Sequence, residues 1–454
     1  TAFDLFFAAA DAIATLGDPS RLASCVDELE ALAADDAQVA RAALPRSVME
    51  LEAGHLDGSR EAALRGLEPA RRAGLQDVES ELLYVVGVVH WERREVAAAI
   101  AHVEQALELR RHLAPEQQGA EHLPTLITVM QSLSAMQMAA GHFAHSQSLA
   151  LECHRLATEA QRAPDLIAPA ASLCLMAADR GQIGESLEWA RRGLRAGNDA
   201  EVNAVDLSRL EMMNANALLL DGQWGAALEQ YERLMQRFEG RPRWRYRGDF
   251  VHRFALMHIM LGRRDLALKG LQAGLADEGS SATQRLWMEV LLLAIGERGD
   301  PATLLERIVA LDDIGMRTRL LVRLAAHGDA PALLPVLAIA AGTVRDGGLS
   351  GLWLSLQSKT ALLLARAGRH DEAADVARLA WQRSEAGCVA SHPFVEFAAD
   401  LCGALAAGDP LQSRQIGDRG RRWLNDAANT LPPAWRDNCV ARHPFVDRLV
   451  RGAG

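Results

Sequence analysis

Between Val205 and Phe238 the chain reads VDLSRLEMMNANALLLDGQWGAALEQYERLMQRF. Its apolar positions fall three and four residues apart: Leu207, Leu210, Met213 and Ala217, then Leu228, Tyr231 and Leu234. That spacing lays one apolar stripe along each of two α-helices. Asp221-Gly222 interrupts it, and glycine suits the left-handed residue that ends a helix. Ala215 and Ala227 put small side chains where two helix axes approach each other. The segment predicts an antiparallel helical hairpin.

The hairpin recurs along the chain. A turn residue is followed by a small or apolar residue five positions on and another twelve positions on. Gly222 has Ala227 and Leu234, Gly262 has Ala267 and Gly274, and Gly368 has Ala373 and Ala380. Gly58, Gly141 and Gly181 continue the series, and Arg94, with Ala99 and Ala106, keeps it without glycine. Gly17, Gly299, Gly328 and Gly408 are weaker members. Most markers lie 36 to 47 residues apart, with one spacing of 29 before Gly328. A period of this size predicts a repeat array, in which no unit buries its apolar face alone.

The order of small residue, glycine turn, alanine and small residue resembles the tetratricopeptide (TPR) repeat. The period near 40 resembles its longer-helix form, found in sensor domains of multi-domain signal-transduction ATPases and of maltose-regulon-type activators. HEAT and armadillo units share that period, but the glycine turn with its two small residues favours TPR. The resemblance implies an all-α fold, a right-handed superhelical solenoid of about eleven antiparallel hairpins spanning residues 1–424. The array is expected to loosen or bend around 275–330, where one unit is short. Residues 425–454 depart from the repeat and resemble the closing segment of such ATPases, so a capping tail is expected there. The chain then reads as a C-terminal portion, with regulatory or ATPase domains of the same polypeptide expected before Thr1.

Composition narrows the chemistry. Aromatics are 5% of the chain, so Ala, Leu and Val must fill the core. Six scattered cysteines without a Cys-x-x-Cys pair read as reduced, core-filling thiols of a cytoplasmic protein. No apolar run reaches the 18 or so residues of a membrane helix. The net charge of −11 is unevenly placed. Residues 1–100 hold 9 Arg and no Lys against 18 acids, whereas residues 236–264 hold 8 Arg against Glu239 and Asp249. An acidic end and a basic middle argue against wholesale nucleic-acid binding and leave room for a local anionic site.

Catalytic motifs are missing. A P-loop needs Gly-x4-Gly-Lys-Ser/Thr, but the only lysines are Lys269 and Lys359, and neither follows such a turn. His142-Phe-Ala-His145 with His154 falls short of a zinc signature, so neither a metal nor another cofactor is expected. Asp35-Asp36 and Asp312-Asp313 diverge on a helix. His392-Pro-Phe-Val395 and His443-Pro-Phe-Val446 read as a duplicated helix start, with proline opening each helix.

The expected function is non-enzymatic binding of a protein, a peptide or a small effector. In TPR-like arrays the first helix of each hairpin lines the concave surface. Candidate groove residues are therefore Tyr84, Val88 and Trp91, then Gln131 and Met138, then Met212, Met213 and Asn216, then His252 and Arg253. Methionine and aromatic surface at one end and cationic donors at the other suit apolar anchors and an acidic group. Two alternatives stand beside this. One is an anion or nucleic-acid contact through Arg241-Pro-Arg-Trp-Arg-Tyr-Arg247, using Arg243, Arg245 and Arg247; a solvated or acid-paired loop with Trp244 packed inside is its plainer explanation. The other is an enzyme with an unrecognised site.

Overall fold

The computed structural model describes residues 1–16, 19–114, 118–119, 121–198, 204–240, 244, 246–297 and 299–451. Among them there is no strand, and 24 α-helices and one short 3-10 helix make up the regular structure. The chain divides into two compact units, residues 1–156 and 157–454.

The first unit pairs α1 (Ala2–Leu16) with α2 (Pro19–Leu32), α3 (Asp36–Glu52) with α4 (Leu56–Ala73) and α5 (Gln76–Glu92) with α6 (Val96–Arg111). It ends with α7 (His122–Ala139) and most of α8 (Phe143–Glu159). The second unit begins with three hairpins: α9 (Ile167–Asp179) with α10 (Ile183–Asn198), α11 (Ala204–Leu220) with α12 (Trp224–Phe238), and α13 (Arg247–Met260) with α14 (Arg264–Ala276). Then come α15 (Ala282–Ala294), α16 (Pro301–Val309), α17 (Ile314–Leu324) and α18 (Ala330–Asp346). The chain finishes with α19 (Ser350–Arg366), α20 (His370–Glu385), α21 (Phe394–Leu405), α22 (Pro410–Asn429), α23 (Pro433–Arg442) and α24 (Val446–Arg451).

The recurring residues have clear physical jobs. Gly141, Gly181, Gly222, Gly262 and Gly368 all have positive φ, and so does Arg94 (φ 65°). At Gly222 the amide of the next residue, Gln223, reaches back 2.9 Å to Leu218 O, which closes the first helix in a Schellman turn. Five residues on, Ala99, Ser146, Ser186, Ala227, Ala267 and Ala373 are all fully buried. Where that residue is serine, its hydroxyl donates to a carbonyl of the partner helix, as Ser146 does to Ser134 O (2.7 Å) and Ser186 to Cys174 O (2.8 Å). Twelve on, a Cβ at Gly193 would stand 2.5 Å from Leu210 Cδ2 and 2.7 Å from Ala170 Cβ. Small residues are required because helices meet there.

Three markers are corrected. Gly58 lies inside α4, and the left-handed turn is Gly54, with buried Ser59 and Gly66 at the same offsets. Likewise Gly296 and Gly348, rather than Gly299 and Gly328, have positive φ. The pattern was carried there on a degenerate stretch in which α16 has 9 residues and α17 has 11. In consequence α18 pairs across its tight turn with α19. Gly17 lies outside the described residues.

Within the second unit the late helices fold back onto the turns of the early hairpins. Val389 N donates to Gly181 O (3.2 Å), and Gly225 N donates to Thr430 Oγ1 (3.0 Å). Trp423 and His443 both pack on Trp224, while Arg263 lies 5.0 Å over the Trp435 ring. The tail therefore covers the turns at Gly222 and Gly262 as well as the last hairpin, on which Leu449 sits against Gly420.

Candidate functional site

The fold-back closes one side of a cleft in the second unit. Its walls come from α9, α11, α13, α15, α17 and α19, together with Ser391 and His392, and it encloses about 70 Å³. That is well under the roughly 300–1,000 Å³ of drug-sized ligand pockets, so it suits a small group or the end of a chain. Leu175, Leu220, Leu256, Val322 and Trp287 give it an apolar lining, and Asp179, Asn216, Arg253, Arg319 and Arg323 supply the polar groups.

Most of these charges are already committed. Arg319 holds Asp179 through two nitrogens, one of them 3.3 Å from Oδ1. The Asp179 charge raises Arg319 against a burial that works to lower it. Arg323 donates to Glu396 Oε2 at 2.6 Å. Beneath it Lys359, fully buried, donates at 2.6 Å to both Glu396 Oε1 and Asp400 Oδ2, and Arg448 reaches Asp400 Oδ1 at 2.8 Å. Burial works to raise Glu396, but Arg323 and Lys359 overcome it and hold the carboxyl well below the usual range.

Three polar groups remain uncommitted. Arg253 makes no ion pair among the described residues, and its buried Nε has no acceptor. Asn216, half-buried, makes no side-chain hydrogen bond there. His392 is 1% exposed, and both its ring nitrogens lack partners. Burial lowers His392 to about 4, so the ring is neutral at neutral pH. His252 donates from Nδ1 to Gly248 O (3.1 Å) and stacks on Trp287, and burial holds it well below the ordinary histidine value.

His392, Glu396 and Asp400 also bring ligand atoms within 4.8 Å of one another, the spacing of a metal site. The Lys359 ammonium already bridges the two carboxylates. A cation entering there would have to displace a buried cation, so the cluster works as an ion-pair network.

The structure brings three of the sequence-derived candidates, Asn216, His252 and Arg253, into this cleft. Met212 (1% exposed) and Met213 (7%) are packed in the core instead. They are corrected to packing residues, because α11 is flanked by helices on more than one side. Tyr84, Trp91, Gln131 and Met138 belong to the first unit, where all four are half-buried; the Tyr84 hydroxyl lies 2.9 Å from Ser132 Oγ and ties α5 to α7. In the basic segment, Arg243 and Arg245 lie outside the described residues. Arg247 pairs with Asp277 (3.1 Å), and Trp244 is buried against Phe238 with its Nε1 donating to Ser208 Oγ. Sequence reasoning missed Asp179, Arg319, Arg323 and the Lys359 network. A signal for the last was present: one lysine amid SGLWLSLQSKTALLLAR, and two acids four apart in FVEFAADLCGAL.

No protein-family model and no curated protein matches the chain. Among solved structures it is similar to a Rap protein complexed with competence and sporulation factor, with a TM-score of 0.58 and 12% identity, covering 79% of this chain and 99% of that one. It is also similar to a chain of the APC/C hetero-tetramer Cut9–Hcn1, with a TM-score of 0.54 and 11% identity, covering 99% and 90%. The fold is a TPR-like helical repeat.

Proposed function

We propose that the protein is a non-enzymatic binding module whose ligand, a peptide or a small effector, occupies the cleft of the second unit. The observation that carries this reading is the convergence of six helices on one cleft whose uncommitted groups, Asn216 and Arg253, can donate but have nothing to hold. Support also comes from what the cleft does with its hydroxyls. Ser355 donates to Gly351 O and Ser391 to Ala178 O, so neither is paired with a base as a nucleophile would be. The Rap protein of similar fold was solved with a bound factor, which makes ligand binding by such an array a natural use of it. Within this reading the chain is the C-terminal sensor part of a bacterial signalling or transcription-regulating ATPase, a placement that rests on the resemblance of its repeats and tail.

The test is a thermal-shift screen of the whole chain against pools of short peptides and small metabolites. A ligand at about a hundred times its Kd adds roughly 2.7 kcal/mol of stability. Its effect should vanish in Asn216→Trp, which fills the cleft. Hits that all survive in a folded Asn216→Trp protein would place binding elsewhere.

A further inference from the structure

We infer that the ligand of this cleft presents one carboxylate on an apolar group, and that Arg253 holds that carboxylate. The inference rests on the reading of the cleft as a binding site and names the chemistry it selects.

The charges come first. Of the three arginines in the cleft, Arg319 is neutralised by Asp179 and Arg323 by Glu396, which leaves Arg253 as the one without a counter-ion among the described residues. Behind Arg323 the network is itself one positive charge in excess, since among the described residues Arg323, Lys359 and Arg448 pair with Glu396 and Asp400 alone. A chain of net charge −11 therefore carries a local cationic cleft. An anion is attracted where field lines are focused between low-dielectric walls.

Hydrogen-bonding capacity points the same way. Arg253 Nε and the ring nitrogens of the neutral His392 are buried without partners among the described residues, and the half-buried Asn216 amide makes no side-chain hydrogen bond there. Buried donors are normally paired, and a ligand with oxygen acceptors would pair these. A guanidinium and a carboxylate fit each other in shape as well as charge. With one guanidinium lacking a counter-ion and apolar walls around it, the cleft favours a single carboxylate carried on hydrocarbon over a strongly hydrated phosphate dianion. Leu220, Leu256, Val322 and the Trp287 ring surround these donors with apolar surface. The matching chemistry is an aliphatic acid: the free C-terminus of a peptide ending in an aliphatic residue, or a small aliphatic carboxylic acid.

Calorimetry on the whole chain decides it with five probes: N-acetyl-leucine, its amide, a hexapeptide ending in leucine as free acid and as amide, and inorganic phosphate. A free acid should bind about tenfold or more tightly than its amide, the loss expected when a charge-assisted hydrogen bond goes. Arg253→Gln should remove that preference and Arg253→Lys keep part of it, with melting temperatures no lower than the parent's, because no existing ion pair is broken. Binding of the peptide acid alone assigns the carboxylate to a peptide terminus, and binding of N-acetyl-leucine alone assigns it to a small effector. Acid and amide binding equally, yet both blocked by Asn216→Trp, would overturn the carboxylate while leaving the cleft a binding site. Arg253-dependent binding of phosphate in preference to the acids would overturn it too, and so would no binding by any probe.

Discussion

At the scale of single residues, the turn position of each hairpin combines a backbone demand with a contact demand, and the two are separable. Gly181 carries both: its φ is +76°, and a Cβ there would stand 2.3 Å from Val389 O. Arg94 carries only the first, at φ 65° in an exposed turn. A non-glycine residue in the left-handed region costs about 1–2 kcal/mol. Gly181→Ala should therefore destabilise by roughly 2–4 kcal/mol, the backbone term plus displacement of the 388–391 segment. Arg94→Gly should be neutral or stabilising by up to about 1 kcal/mol, the glycine's greater unfolded freedom offsetting part of the relief. Urea unfolding of both variants checks the pair, and equal effects at the two sites would mean that the contact with Val389 contributes nothing. The sequence showed that such turns exist because their glycine and the buried small residues recur at fixed offsets. It misplaced those near Gly58, Gly299 and Gly328 because a glycine inside a helix or a loop looks the same in a string of letters.

At the scale of elements, α17, α19, α21 and α24 are joined by a buried network of charges. Removing one partner of a buried pair leaves a charge uncompensated, at a cost of about 3–5 kcal/mol. Lys359→Met removes the ammonium that both Glu396 and Asp400 share; each acid keeps an arginine, Arg323 or Arg448, so the cost should fall below that figure, at about 1–3 kcal/mol for the buried charged hydrogen bonds lost. Arg448→Met, whose partner Asp400 keeps Lys359 and whose own side chain is 28% exposed, should cost about 1 kcal/mol or less. Denaturant midpoints for the two variants give the comparison, and the argument fails if Lys359→Met costs no more than Arg448→Met. The participants were visible in the sequence as charges stranded in apolar helices. Their pairing was not, since Lys359 meets acids 37 and 41 residues away and nothing local specifies that register. The same holds for Asp179 with Arg319, 140 residues apart, and this is why most of the cleft was illegible; helical phase pointed to Asn216, His252 and Arg253, which line it, but equally to Met212 and Met213, which are core.

At the scale of the molecule, the second unit buries histidines whose protonation the folded state resists. Burial lowers His258 and His392 to about 4 and His443 to about 3, and it holds His252 well below 6.5. The unfolded chain takes up these protons near pH 6.5 and the folded chain does not. The unfolded state then binds more protons, and stability must fall as pH falls. The window opens near 6.5 and closes near 4 to 3, where the folded rings also protonate. Each pKa unit corresponds to about 1.4 kcal/mol, so His392 alone accounts for up to roughly 3 kcal/mol. Glu396 acts in the same direction but only below its unfolded value of 4.5, because its folded pKa is depressed. Histidine and carboxylate effects are thus separated in pH. Three of the rings also stack on tryptophan, His443 on Trp224, His252 on Trp287 and His258 on Trp435, so tryptophan fluorescence reports their surroundings directly. The urea midpoint read by fluorescence should drop between pH 7 and pH 5, and His392→Gln should flatten that drop. A midpoint unchanged down to pH 5 and falling only below 4.5 would assign acid sensitivity to the carboxylates and remove the histidines from the account.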